Sequence, residues 1–157
     1  MSRRGFLAAG ATASLAAVSR PAAATRPATD AAAVGVRRRG AAPPVVVASD
    51  NGERTVARAF ELMTGGTSPT VAVVEGVAIV EADPEDMSVG YGGLPNEECV
   101  VQLDASVMDG RSHKAGAVAC VENIMHVARL ALRVLDSTDH VLLVGDGARR
   151  FARQGNF

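Results

Sequence analysis

The stretch SVGYGGLPNEECVVQLDASVMDG, from Ser88 to Gly110, decides the fold class that this sequence predicts. It opens with three glycines between Gly90 and Gly93, which indicate a tight turn because glycine adopts backbone angles that other residues avoid. Apolar and polar residues then alternate from Val101 to Met108, which is the period of a strand with one buried face. A turn at Asp109-Gly110 and a second alternating run over residues 111–121 complete the pattern of a β-hairpin.

Helical patterns flank this hairpin on both sides. Residues 51–66 predict a helix, and a second helix begins with Ser68 as its N-cap and Pro69 at its first position. The expected inner faces are apolar and hold Val56, Ala59, Phe60 and Met63 in the first helix and Val73, Val74, Val77 and Val80 in the second. A buried strand over residues 43–49 is predicted before them, and a helix, a buried strand and a last helix after the hairpin. This order predicts a layered fold of mixed α/β or α+β class.

The residues before the folded domain predict export. Arg3-Arg4, a short apolar run and the small residues Ala22 and Ala24 are typical of a twin-arginine signal peptide over residues 1–24. Such a signal implies a periplasmic or extracellular protein. Residues 25–43 are rich in Ala, Pro and Arg and predict a disordered linker, which leaves residues 44–157 for the domain.

The charge of the domain excludes some classes of function. From Val45 onward nine basic residues stand against sixteen acidic ones, a net charge of about −7. That excess argues against partners such as nucleic acid and anionic lipid surfaces. The apolar run of the export signal is shorter than the roughly 20 residues that cross a bilayer, so no membrane span is predicted.

The residues offer no catalytic set of recognisable spacing by themselves. His113, His126 and His140 lack the spacing of metal ligands, so no metal site is predicted. The strand, Gly-x-Gly and helix order at residues 140–152 is that of a dinucleotide loop, but Arg150 stands where the third glycine belongs. Nucleotide binding is therefore disfavoured. Cys99 and Cys120 fall on the two arms of the predicted hairpin, and whether they pair is left open.

Several motifs in the same order resemble the first part of the bacterial glycosylasparaginases, which belong to the N-terminal-nucleophile hydrolases. The resemblance runs from about Val45 to Phe157. It rests on Asp83-Pro84, Ser88-Val89-Gly90-Tyr91-Gly92-Gly93, Leu103-Asp104-Ala105, Met108-Asp109-Gly110, Gly116-Ala117-Val118 and Leu142-Leu143-Val144-Gly145. The combination is far more specific than any one of these motifs.

The resemblance implies a fold and a reaction. The fold is a four-layer αββα sandwich, of which this chain is the N-terminal half. The reaction is hydrolysis of the side-chain amide of an asparagine derivative, with release of aspartate and without a cofactor. Its nucleophile is a threonine freed by self-cleavage, whose own amino group serves as the base.

That nucleophile is missing from this sequence. In the family it follows a His-Asp or His-Gly pair, and none of the later threonines does so: Thr55, Thr64, Thr67, Thr70 and Thr138. The chain therefore resembles the α-subunit alone and is expected to be inactive by itself. Its implied partner is the missing β-subunit half, and the complete enzyme is expected to be a homo-oligomer. The alternative is a non-catalytic exported remnant that binds a partner.

The resemblance also implies which residues lie at the mouth of the site. They are Asp50, Asn51, Ser88, Gly90, Gly92 and Gly93, with Asp50 standing where some members carry a tryptophan. Asp104 and Asp109 are expected to be structural, Asp104 tying strand to turn and Asp109 capping the hairpin. The alternative is that these glycines and aspartates are all simply turn residues.

Overall fold

The computed structural model describes residues 43–157. The predicted signal peptide and nearly all of the predicted linker lie outside the described residues. Four α-helices and three β-strands follow in mixed order: α1 (Glu53–Thr64), α2 (Pro69–Glu81), β1 (Leu103–Asp109), β2 (Lys114–Val121), α3 (Val127–Ser137), β3 (Leu142–Val144) and α4 (Gly145–Gln154). The mixed α/β class predicted from the sequence is confirmed at this level.

The three strands form one sheet in the order β1-β2-β3, with β1 antiparallel to β2 and β3 parallel to it. The predicted hairpin is confirmed, and Asp109 pairs with Lys114 at its tip. The register shifts near the other end, between Leu103 and Ala105. There Cys120 adopts a left-handed backbone with φ of 51°, and the extra residue opposite Asp104 forms a β-bulge.

Helix α2 begins as predicted. The Ser68 hydroxyl accepts a hydrogen bond from the Val71 backbone N–H at 3.4 Å, and Pro69 is the first helical residue. The predicted inner face is only partly correct, since Val74 and Val80 are buried but Val73 is 39% exposed. Helix α2 packs against α1 on one side and against α3 and β1 on the other, so its buried positions are spread around the helix.

The core lies between the sheet and helices α3 and α4. Leu130 and Val134 of α3 are fully buried against Val118 and Val121 of β2. Gly116 of β2 brings strand and helix into direct contact, because a Cβ there would lie 2.3 Å from the Ala131 carbonyl oxygen. Only glycine allows the strand to approach the helix backbone this closely.

The other side of the sheet, here called the outer sheet face, has little cover among the described residues. It carries Asp104, Ser106, Met108, Ala115, Ala117, Ala119, Leu142 and Val144, which lie on one side of the three paired strands. Leu142 and Val144 are about half exposed, and Met108 is 72% exposed. The sequence predicted that β3 is buried, and this was wrong: β3 is a short strand at the edge of the sheet, and its outward side chains are about half exposed.

The predicted strand at residues 43–49 was also wrong. This segment has no regular secondary structure, and Val45 and Val47 are 78% and 86% exposed. A β-branched run forms a strand only where a neighbouring strand pairs with it, and none in the described part of the chain does so.

No helix in residues 43–157 is long and apolar enough to cross a membrane.

Substituting Gly116→Ala should destabilise the domain. The added methyl group meets the backbone of α3, so the helix must move away from β2 at a cost of about 1–3 kcal/mol. Gly110→Ala is the matched control, because a Cβ at Gly110 has no atom within 4 Å. Denaturant unfolding of both variants tests this, and equal midpoints would contradict the proposed close contact.

Candidate functional site

A small polar cluster joins the start of α1 to the loop between α2 and β1. We call Ser49, Asn51, Asp86 and Ser88 the Asn51 cluster. The Asn51 side-chain amide donates to Asp86 Oδ2 at 2.9 Å and to Ser88 Oγ at 3.1 Å, while Ser49 Oγ donates to Asn51 Oδ1 at 2.6 Å. The structure thus brings together two of the predicted mouth residues, Asn51 and Ser88, from segments far apart in sequence.

Asp86 holds the cluster together, although sequence reasoning missed it. Its Oδ1 accepts the Ser88 backbone N–H at 2.8 Å and also the Ser88 hydroxyl. Hydrogen bonds from the Ser88 hydroxyl, the Asn51 amide and the Ser88 N–H lower the pKa of Asp86 from 3.8 to about 2. The Asp-x-Ser spacing, typical of a side-chain turn, was the signal available for this residue.

Packing within the protein requires glycine at Gly90 and Gly92 and leaves little room for a side chain at Gly93. Gly90 has φ of +63°, and a Cβ there would lie 2.1 Å from the Glu81 carbonyl oxygen. A Cβ at Gly92 would lie 2.4 Å from the Asp86 carbonyl oxygen, and one at Gly93 would lie 3.1 Å from that of Gly90. This geometry is that of turn residues, and their role at the mouth of a site stays a prediction.

Asp50 stands apart from the cluster. It lies in the short 3₁₀ turn Asp50–Gly52, is exposed, and makes no side-chain hydrogen bond with another described residue. Among the predicted mouth residues it is the one whose side chain the cluster leaves out.

Asp104 and Asp109 both have structural partners. Asp109 lies at the tip of the hairpin and accepts from the Ser112 hydroxyl at 2.6 Å and from the Ser112 N–H at 2.8 Å, and these hydrogen bonds hold its pKa well below the usual range. It also accepts from Thr70 Oγ1 of α2 at 2.9 Å. Asp104 does not tie strand to turn. Its Oδ1 accepts the Cys120 N–H at 2.7 Å across the bulge, because the left-handed Cys120 turns its amide toward β1.

Glu81, at the end of α2, is a buried carboxylate that sequence reasoning did not single out. Its side chain is 2% exposed, and Oε1 accepts the Ala128 N–H at 2.9 Å. Oε2 lies 3.3 Å from His126 Nδ1. Burial raises the pKa of Glu81, and the hydrogen bonds from Ala128 and His126 oppose that rise. An acidic residue inside the apolar run AIVEADP was the available signal.

An open groove of about 530 Å³ runs along β1 beside α2. Ser88, Gly90 and Glu81 lie on it together with apolar side chains such as Val77 and Val127. Its polar groups can orient a ligand through hydrogen bonds, but none of them is an activated nucleophile.

Four of the five threonine hydroxyls in residues 43–157 are engaged in hydrogen bonds within the fold. These hydroxyls donate to oxygens: Thr55 to Gly76 O, Thr64 to Glu61 O, Thr70 to Asp109 and Thr138 to Val134 O. All lie inside the chain, where a threonine has no free amino group to act as its base.

Cys99 and Cys120 are free and exposed, and no group of three or more metal-ligating side chains occurs in residues 43–157.

The carboxyl group of Asp86 should titrate with a midpoint near pH 2, measured by the ¹³C shift of its carboxyl carbon. A lowered folded pKa means that Asp86 stabilises the fold above about pH 3.8 and that this contribution is lost as pH falls through about 2. Ser88→Ala should raise the midpoint toward 3.8 by removing the largest cause of the shift, and Ser137→Ala should leave it unchanged. A wild-type midpoint near 4 would contradict the hydrogen-bonded geometry.

Comparison with known proteins places the chain in a family. A family profile described as asparaginase matches residues 32–157. Over 115 residues the chain is 41% identical to the N(4)-(beta-N-acetylglucosaminyl)-L-asparaginase of Elizabethkingia miricola. The alignment covers 73% of this chain and 34% of that protein. The mouse protein of the same name is 38% identical over 120 residues, 76% of this chain and 35% of that protein.

A relative with another name gives a similar alignment. The isoaspartyl peptidase/L-asparaginase of Xenopus laevis is 36% identical over 101 residues, 64% of this chain and 32% of that protein. The chain thus spans about a third of the length of these relatives. Since the profile covers most of the chain and the relatives include the glycosylasparaginases that its motifs resemble, the chain belongs to the asparaginase family.

Proposed function

We propose that this chain is the N-terminal part of an amidohydrolase that cleaves the side-chain amide of asparagine or a substituted asparagine and releases aspartate. The observation that carries the proposal is the family match over residues 32–157. The names of the relatives describe proteins that act on asparagine, on N4-glycosylated asparagine or on isoaspartyl peptides. All three substrates carry an aspartyl unit in amide linkage.

In this proposal the chain supplies binding groups and the remainder of the enzyme supplies the chemistry. Ser88 lies on the groove and offers a hydroxyl, and the side-chain amide of Asn51 bonds to it at 3.1 Å, both in positions fixed by Asp86. Such groups can hydrogen-bond the polar atoms of an amino-acid substrate. The nucleophile is a threonine with a free amino group, contributed by the two thirds of the family's length that lie beyond the alignment.

The outer sheet face supports the idea of a second half. In a sandwich of two sheets, each inner face is apolar and is covered by the other sheet. The outer sheet face is apolar apart from Ser106 and, at its bulged end, Asp104, and it lies opposite the helical side, as expected for an inner layer of an αββα sandwich. Covering it would stabilise the assembly by about 2.5 kcal/mol for every ~100 Å² of apolar surface. We therefore propose that the missing half packs here to form the four-layer fold.

A chain limited to residues 1–157 should not hydrolyse glycosylasparagine or aspartyl-β-naphthylamide, because none of its threonines follows the His-Asp or His-Gly pair that precedes the nucleophile in the family. Release of aspartate, measured against a heat-inactivated control, tests this. A version extended by the sequence encoded after Phe157 should gain activity if that sequence contains a His-Asp-Thr or His-Gly-Thr segment. Activity of the 157-residue chain would contradict the proposal, and an inactive extended version with that segment would favour a non-catalytic remnant.

Replacing Ala117→Arg should block assembly with the second half. Ala117 lies at the centre of the outer sheet face, paired with Ser106 and Leu142, so a buried guanidinium there would be left without a partner. Co-expression and co-purification of the two halves measures the loss, expected to be at least tenfold. Gln154→Arg, which adds the same charge to an exposed position on the helical side, is the control. Equal recovery of both variants would show that the second half does not pack on this face.

A further inference from the structure

We propose that Glu81 is a positioning residue of the candidate site: its carboxylate fixes the first turn of α3, and its backbone seats the Gly90 turn that carries Ser88. The inference depends on the proposed function only in that it calls this region a site. The mechanical coupling it describes is measured without any substrate.

The first turn of α3 depends on Glu81. A helix leaves its first backbone N–H groups without partners, and a polar side chain at the N-cap position normally accepts from one of them. His126 occupies the N-cap position of α3 but makes no such bond. The acceptor is instead Glu81 Oε1, at 2.9 Å from the buried Ala128 N–H. A side chain from α2 thus caps α3 across the fold.

Packing alone does not explain a carboxylate at this position. The Glu81 side chain is almost fully buried, and a buried charge is costly unless it is paired and hydrogen-bonded. Of the charged groups that face it, His126 approaches to 3.3 Å. Arg129 acts from further away and is already held by Glu75 through bonds of 3.0 and 2.6 Å. An apolar residue would fill the space at lower cost, so the position requires a hydrogen-bond acceptor.

The backbone of Glu81 forms the surface on which the glycine turn rests. The space where a Cβ of Gly90 would lie is occupied by the Glu81 carbonyl group and Cα, 2.1 and 2.3 Å away. Ser88 precedes Gly90 by two residues and is bound to Asp86 and Asn51. A shift of the end of α2 therefore moves the turn, and with it the Asn51 cluster.

The chain offers a matched control in Glu75. It lies on the same helix and also bonds to α3, through Arg129, but it is partly exposed and does not touch the glycine turn. A variant at Glu75 weakens the contact between α2 and α3 without disturbing the Glu81 backbone against which Gly90 packs. The comparison separates positioning of the turn from general loosening of the helix pair.

Hydrogen–deuterium exchange on the 157-residue chain tests the proposal, with Glu81→Gln, Glu81→Asp and Glu75→Ala compared with wild type. Glu81→Gln keeps an oxygen at the same reach, so exchange at residues 88–94 and 126–130 should stay within about threefold of wild type. Glu81→Asp keeps the charge but falls short of Ala128, so exchange should rise at least tenfold in both segments. Glu75→Ala should leave residues 88–94 unchanged.

Three results would overturn the proposal. In the first, Glu81→Asp accelerates exchange in α3 but leaves the glycine turn protected, which would uncouple the two. In the second, Glu81→Gln loosens both segments while Glu81→Asp does not, which would make the charge and not the acceptor decisive. In the third, Glu75→Ala loosens the turn as much as Glu81→Asp does. None of these readings depends on whether the chain is part of a hydrolase.

Discussion

The direct contact between β2 and α3 at Gly116 sets the geometry of the whole domain. Without a side chain at Gly116, the strand lies against the helix backbone, and Val118 and Val121 reach the fully buried Leu130 and Val134. Helix α4 completes this layer with Ala148 and Ala152, both fully buried. Small residues at the contacts bring the helices close to the sheet, which is how a chain with few aromatic residues fills a core.

Carboxylates then attach the remaining segments to this core. Asp109 joins the hairpin tip to α2, Asp104 joins the two strands at the bulge, Asp86 joins the glycine turn to α1 through Asn51, and Glu81 joins α2 to α3. Each accepts backbone or side-chain hydrogens from a segment distant in the chain. Four of the sixteen acidic residues of the domain therefore have a structural use. The three exposed or partly exposed aspartates serve as acceptors where water can also reach them, whereas Glu81 does so in the interior.

Local patterns in the sequence predicted the elements whose cause is local. The alternation over Val101–Met108 and the Ser68-Pro69 pair specify the hairpin and the start of α2 by geometry contained within a few residues. The strand at residues 43–49 and the burial of β3 were mispredicted, because both depend on what lies beside the strand and not on its own residues. Asn51 and Ser88 were expected at one site through the resemblance. Asp86 and Glu81 were missed, since their partners are set by tertiary packing that no periodicity reveals.

The outward residues of the central strand β2 are Ala115, Ala117 and Ala119, a strip of methyl groups flanked by larger side chains from β1 and β3. Facing sheets pack about 10 Å apart, and the volume between them must be filled from one side or the other. A strip this shallow fills little of that volume. In the proposed sandwich, a sheet that covers this strip has to bring bulky side chains to its own centre. This chain would then form the concave side of the contact and the covering sheet the convex side.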